Sequence, residues 1–382
     1  MDDFKAEKIE SQSEVPEAEA ARKGTTFLKT CFNGLNALSG VGILSIPYAL
    51  SQGGWLSLIV LFLVAILCWY TGLLLRRCMD SSMRIKTYPD IGELAFGYRG
   101  RAIVSIFLYL ELYLVPVEFL ILVGDNLHKL FPNMEFKIAG LKIGGKQGFV
   151  LLTSLVVLPS TWLKSLGIMA YFSAGGVLAS IVLVVCVLWV GAVDGVGFHE
   201  GNMFLNWRGM PTTISMFAFC YCGHAVFPTF FNSMKDRSKF SKVLLVCFIT
   251  STITYASMAV LGYLMYGEHL NAQVTLNLPV RKTSTKIAIC TTLINPLTKY
   301  AIILTPSATA IEETTYFRNS RTLSILIRTA LVGSTVVVAL TINKDARSFG
   351  LELIIIVVIL VGGSFIGIVG TYTSLKQIVN HL

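Results

Sequence analysis

Apolar windows long enough to cross a bilayer recur from one end of the chain to the other, separated by short polar stretches. A spanning helix needs about 20 predominantly apolar residues to cross roughly 30 Å of hydrocarbon. The pattern predicts ten such segments, near 26–50, 54–76, 102–128, 147–163, 167–193, 210–231, 240–266, 285–308, 322–342 and 350–375. The fourth is short and interrupted by Pro159. Before the third, residues 87–98 (TYPDIGELAFGY) open on Pro89 and Asp90 and put Ile91, Leu94, Ala95 and Tyr98 on one helical face. That face predicts a short helix lying at the membrane interface or packed on the bundle. The loop at 129–146 alternates in the manner of strands and predicts a small hairpin.

Two of the spans are interrupted near their middles. In 33–50 (NGLNALSGVGILSIPYAL), Ser39, Gly40, Val41 and Gly42 follow Asn33, Gly34 and Asn36, and Pro47 comes after. In 215–232 (SMFAFCYCGHAVFPTFFN), Gly223 precedes Pro228 by five residues, the separation of Gly42 and Pro47. Glycine costs a helix roughly 1 kcal/mol relative to alanine. It also lets backbone groups approach a ligand with no side chain between. In hydrocarbon, freed backbone groups are tolerated only where protein or a watery cavity receives them. Two broken spans, five apart, are the pattern of a transporter built from inverted repeats, with its site where the half-helices meet.

Composition supports the membrane reading: 54% of residues are hydrophobic and 14% charged. With the N-terminus cytosolic, Lys and Arg outnumber those on the other face about twofold, the bias expected of cytosolic loops. The net charge of +9 is then mainly a topology signal and gives no reason to invoke nucleic acid. The eight cysteines (31, 68, 78, 186, 220, 222, 247 and 290) lie in or beside spans, so no disulfide framework is expected. Residues 1–23 are polar and lack the apolar core of a secretory signal, which predicts a disordered cytosolic tail ahead of a transmembrane domain at 24–382.

Ionisable residues at membrane depth are costly and mark function. His224, in the second broken span, could bind substrate, carry a proton or bond an unwound carbonyl. Glu111 and Glu118 lie seven apart on one face of the third span, about 10 Å of rise, too far to form a touching acid pair. Each is either a proton-linked carboxylate facing a cavity or a structural group, paired with Lys299 or capped by hydroxyls. Lys299, beside Thr298 in INPLTKYAIILTP, either is buried with a partner, in the place of a bound cation between spans 1 and 8, or snorkels to the interface. No phosphate-binding loop, zinc-ligand set or catalytic triad is present, so neither an enzyme nor a cofactor or metal is expected.

The segment 25–55, TTFLKTCFNGLNALSGVGILSIPYALSQGGW, resembles the amino acid/auxin permease family, and most closely its plant vacuolar amino-acid transporter branch. The segments YPDIGELAFG (88–97), EFLILVGDNL (118–127), FCYCGHAVFP (219–228), QVTLNLP (273–279) and NPLTKYAIILTP (295–306) fit the same branch. The resemblance implies an all-α, polytopic, five-plus-five inverted-repeat fold with spans 1 and 6 discontinuous. It also implies proton-linked or gradient-driven transport of amino acids, often neutral, across the vacuolar or plasma membrane. By the same resemblance, substrate is received at Asn36, Ser39, Gly40, Val41 and Gly42, and at Tyr221, Cys222, Gly223 and His224. Coupling then falls to Glu118, His224, Lys299 and Thr298. The family has eleven spans; here LVGSTVVVALTI (331–342) runs directly into NKDARSFG, as if the tenth were missing. The expected partners are amino acid, protons and lipid. The rival reading is a transport-defective variant that senses substrate or regulates a full-length copy.

Overall fold

The computed structural model of the protein describes residues 24–39, 42–82, 85–138, 141–163, 166–314 and 320–342. The first broken span is α1 (Phe27–Leu38) followed by α2 (Gly42–Gly53), inclined at 47°. Then come α3 (Ser57–Ser81), α4 (Tyr88–Leu130), a hairpin of β1 (Phe136–Ile138) and β2 (Leu141–Ile143), α5 (Gly145–Thr161) and α6 (Leu166–Ala192). The second broken span is α7 (Met210–Cys220), a single 3-10 turn (His224–Val226) and α8 (Phe227–Ser233). The described part closes with α9 (Phe240–Tyr266), α10 (Thr283–Thr314) and α11 (Arg321–Ile342).

The helices are apolar all round, and packing selects which stripe turns inward. On α3, Leu61, Ala65, Gly72, Leu75 and Met79 are buried, a three-four-seven spacing that forms one face. Phe62, Leu63, Ile66 and Leu67 on its other faces stay exposed, as lipid-facing residues do. The long α4 is bent at Gly97, whose φ of +66° suits glycine. The piece before the bend is the short helix expected at 87–98. It starts with a capping box of Thr87 and Asp90 and is tied back by an Arg101–Asp90 ion pair of 3.0 Å. The β1–β2 hairpin pairs Phe136 with Ile143, as the alternation predicts.

Seven described helical segments are long and apolar enough to span a membrane, or eight spans when α1 and α2 are taken as one. The expected count of ten is not reached among the described residues. Helix α5, with 17 residues, rises only about 26 Å. The expected last span at 350–375 and the tail at 1–23 lie outside the described residues. The short α5 is anchored at its end instead: Arg328 of α11 donates to the Thr161 carbonyl at 2.7 Å and to Glu312 at 2.8 Å.

The broken spans lie against each other and against α9, while α4, α5, α10 and α11 form a second group. Helix α6 bridges them, packing on α1 and, most extensively, on α10. Each break presses its glycine on the other. A Cβ on Gly42 would lie 2.5 Å from Cys220 Sγ and 3.2 Å from its Cα, and one on Gly223 would lie 2.8 Å from Leu38. The outer ends are joined too, by Thr25 N–H to the Ser233 carbonyl (2.7 Å) and Lys235 N–H to the Thr25 carbonyl (3.0 Å).

This contact makes a definite expectation. Gly42→Ala forces the two breaks apart and costs about 1–3 kcal/mol of stability, the usual range for overpacking. Adding Cys220→Ala removes the nearest atom and restores part of the loss. Thermal melting of the purified variants checks both, and a double variant no better than the single one contradicts the contact.

Candidate functional site

A helix that stops inside a membrane leaves carbonyls with no intrahelical partner. Helix α1 ends at Leu38, with Ser39 N–H returning to the Leu35 carbonyl at 2.7 Å. The Ala37 carbonyl accepts from Lys299 Nζ at 3.2 Å, and the Leu38 carbonyl from the Tyr255 hydroxyl. At the second break, Tyr221 and Cys222 N–H groups return to Ala218 and Phe219, and Gly223 N–H bonds the Tyr221 carbonyl at 2.9 Å. The Cys220 carbonyl faces the same Tyr255 hydroxyl, at 3.0 Å. One buried tyrosine of α9 therefore serves the last carbonyls of α1 and α7 together, and a buried ammonium serves the one before.

Several residues expected to bind substrate instead build a polar seam between α1, α6 and α10. Asn36 donates to Ser173 at 3.4 Å and accepts from Thr298 at 3.4 Å. Ser39 donates to Ser180 at 2.9 Å, and Asn295 reaches the same hydroxyl at 2.8 Å. A Cβ on Gly176 would stand 2.2 Å from Asn36 Oδ1, so the seam requires glycine there. Tyr221 is fully buried toward α9, donating to Thr252 at 2.9 Å and stacking on Phe248. His224 turns to α3: Nε2 donates to the Cys68 carbonyl at 3.0 Å and sits 2.8 Å from the Thr71 hydroxyl. This is a bonded-carbonyl arrangement, with the carbonyl supplied by a neighbouring helix rather than an unwound turn. Gly40 and Val41 lie outside the described residues.

What the breaks do enclose is a small cavity of about 50 Å³. Ala37, Leu38 and Gly42 line it from the first break, and Cys222 and Gly223 from the second. Helix α4 supplies Glu111, Leu112, Val115 and Phe119, and α10 supplies Lys299 and Ile303. The Cys222 thiol donates to Glu111 Oε1 at 3.0 Å. Lys299 is 2% exposed, so it does not snorkel. Glu118, the other carboxylate of α4, is half-buried and its charge acts on Lys299. A second cavity of about 140 Å³ lies between α5, α6 and α10, walled by apolar residues such as Val156, Met169 and Phe172 with Thr298 at its edge. Among the described residues no charged side chain lines it. Among the described residues no cluster could hold a metal.

Sequence reasoning found the two breaks, through the matching Gly42/Pro47 and Gly223/Pro228 spacing, and the buried Lys299. It missed Tyr255, which sits in an unbroken apolar span; the one available signal was a phenol at mid-membrane, which needs a hydrogen-bond partner. It also missed Ser173 and Ser180, seven apart and so on one face of α6.

Residues 23–351 match the family described as Transmembrane amino acid transporter protein. The chain is 46% identical over 390 positions to "Amino acid transporter AVT1I" of Arabidopsis thaliana, covering 94% of this chain and 96% of the relative. It is 44% identical over 408 positions to "Amino acid transporter AVT1J" of the same plant, covering 98% and 96%. Both alignments run over more positions than the 382 residues of this chain, so the relatives carry residues that it lacks. Among solved structures, MhsT in complex with L-phenylalanine has a TM-score of 0.63 at 13% identity, covering 91% of this chain and 88% of that one. That likeness establishes the expected fold class of an inverted-repeat transporter.

The shared hydroxyl predicts the cost of losing it. Tyr255→Phe keeps the ring on Tyr221 but leaves the Leu38 and Cys220 carbonyls without their donor. Destabilisation of about 1–3 kcal/mol is expected for buried acceptors left unpaired, read by thermal melting in detergent. An unchanged melting temperature would show that other groups satisfy those carbonyls.

Proposed function

We infer the function from one premise: the chain belongs to the transmembrane amino acid transporter family. It is an integral membrane protein and not an enzyme. The finer reading we propose is a secondary active carrier of neutral amino acids, driven by protons and working by alternating access. The observation that carries it is the cavity between the two breaks, which combines half-helix ends with a carboxylate and an ammonium group. An amino acid is a zwitterion, and a cavity with both signs of charge and mostly apolar walls fits one with an uncharged side chain.

In this reading the N–H end of α2, beginning at Gly42, attracts the substrate carboxylate. Cys222 and Gly223 complete the backbone contacts. Asn36, Ser39 and Tyr221 act behind them by fixing α1 and α7 to their neighbours. Lys299 and Thr298 hold α1 against α10 where another carrier could bind a cation. Glu118, within reach of the Lys299 charge, and His224, lodged against α3, are the proposed proton-linked groups. The bundle of broken spans then rocks against the second group of helices. The resemblance of 25–55 to the plant vacuolar branch supports placing the protein in the vacuolar membrane, and the twofold Lys and Arg bias supports a cytosolic N-terminus.

A second reading is favoured by one finding, the extra residues in the relatives' alignments. If they form a spanning helix after Ile342, this chain is a non-transporting variant that binds substrate or a full-length copy. Uptake of labelled neutral amino acids into proteoliposomes, with and without an inward proton gradient, separates the two. Gradient-dependent uptake by this chain is the expected result. Uptake only after a helix is restored behind Ile342 would establish the variant, and no uptake or binding by either would overturn the carrier reading.

A further inference from the structure

The pair Glu111–Cys222 is left over by the proposed coupling groups, yet it lies in the cavity wall. Two facts about it stand out. Glu111 receives the Cys222 thiol at 3.0 Å, a weak donor. Lys299, in the same cavity, is turned to the Ala37 carbonyl and makes no ion pair with Glu111 among the described residues. A carboxylate at membrane depth with one weak donor is short of partners.

We propose that Glu111 and Cys222 form the subsite for the substrate's primary ammonium, so that the amine is what this carboxylate selects. The inference rests on the carrier reading above and deepens it. An ammonium brings three N–H donors to a group that only accepts. Leu112, Val115 and Ile303 leave the adjoining space to an uncharged side chain. The thiol keeps one carboxylate lone pair occupied and so orients the carboxyl group toward the cavity. A molecule with the same acid group and side chain, but a hydroxyl in place of the amine, forfeits the charge-assisted contact.

A proton competes with the ammonium for the same carboxylate, so substrate affinity falls as the pH on the open side is lowered. Several other titratable groups face the pair. Lys299 does so from α10, Tyr88 from the start of α4, and Cys68 from α3, with Cys78 beside Tyr88. His224 is held by α3, and Arg328 of the adjacent α11 is engaged by Glu312 and the Thr161 carbonyl. Glu118, two turns further along α4 and half-buried, is not among the residues lining the cavity, so Glu111 is the cavity carboxylate that the proton and the ammonium share.

The test uses the full chain, with equilibrium binding of labelled neutral amino acids to purified protein and uptake by proteoliposomes. For whichever amino acid the wild type takes, the competitor is its 2-hydroxy acid counterpart, L-lactate for L-alanine. The expected results are competition by the amino acid alone and an affinity that weakens as pH falls. Glu111→Gln should weaken binding at least about tenfold, the scale of one lost charged hydrogen bond, and flatten its pH profile. Bound amino acid should slow Cys222 methylthiolation by methyl methanethiosulfonate. Equal competition by the hydroxy acid, or a Glu111→Gln chain with wild-type affinity and pH profile, overturns the subsite while leaving the carrier reading intact. A wild type that binds and carries no amino acid overturns both.

Discussion

The structure depends on how it satisfies carbonyls freed where two helices stop inside the membrane. Hydrocarbon offers no hydrogen bonds, so a broken span exists only if protein groups replace the lost intrahelical ones. Here the replacements are few and specific: Lys299 for Ala37, and Tyr255 for both Leu38 and Cys220. A hydroxyl has one proton, so Tyr255 divides a single donor between two breaks. Any motion separating α1 from α7 must leave one of these carbonyls without it.

The same economy shapes the packing. Gly42 on Cys220 and Gly223 on Leu38 interlock the breaks, and the Thr25–Ser233 and Lys235–Thr25 backbone bonds join α1 to α8 at their outer ends. These links favour the two broken spans moving as one body. The Asn36–Ser173–Thr298 and Ser39–Ser180–Asn295 contacts are side-chain bonds, fewer atoms each and easier to exchange. Where a carrier of this design must open, the seam between α1, α6 and α10 is the weaker boundary.

Much of this was legible in the residues, and the misses have physical reasons. Glycine and proline at matching spacing betray a break because they are costly in a helix interior, and both breaks lie where they were expected. A lysine in the middle of an apolar run must find a partner, and Lys299 has. The direction in which Asn36, Ser39, Tyr221 and His224 point was not legible, since a polar side chain near a break satisfies itself as well on a neighbouring helix as on a ligand. Periodicity could not choose between Glu111 and Glu118, which share a face; only the depth of the second break, at Cys222, selects Glu111 for the cavity. Tyr255 carried no spacing signal at all. The count of ten spans is not reached among the described residues, because the 17-residue α5 is shorter than a typical crossing and the segment 350–375 lies outside them.

The central claim is that an amino acid sits in the cavity between the breaks, against the half-helix ends that Lys299 and Tyr255 hold. The most direct measurement is an experimental structure of the protein saturated with a neutral amino acid. The account predicts the ligand between Gly42, Cys222 and Gly223, with Lys299 still on the Ala37 carbonyl. Density for the ligand in the apolar cavity between α5, α6 and α10, with the cavity at the breaks empty, would contradict it.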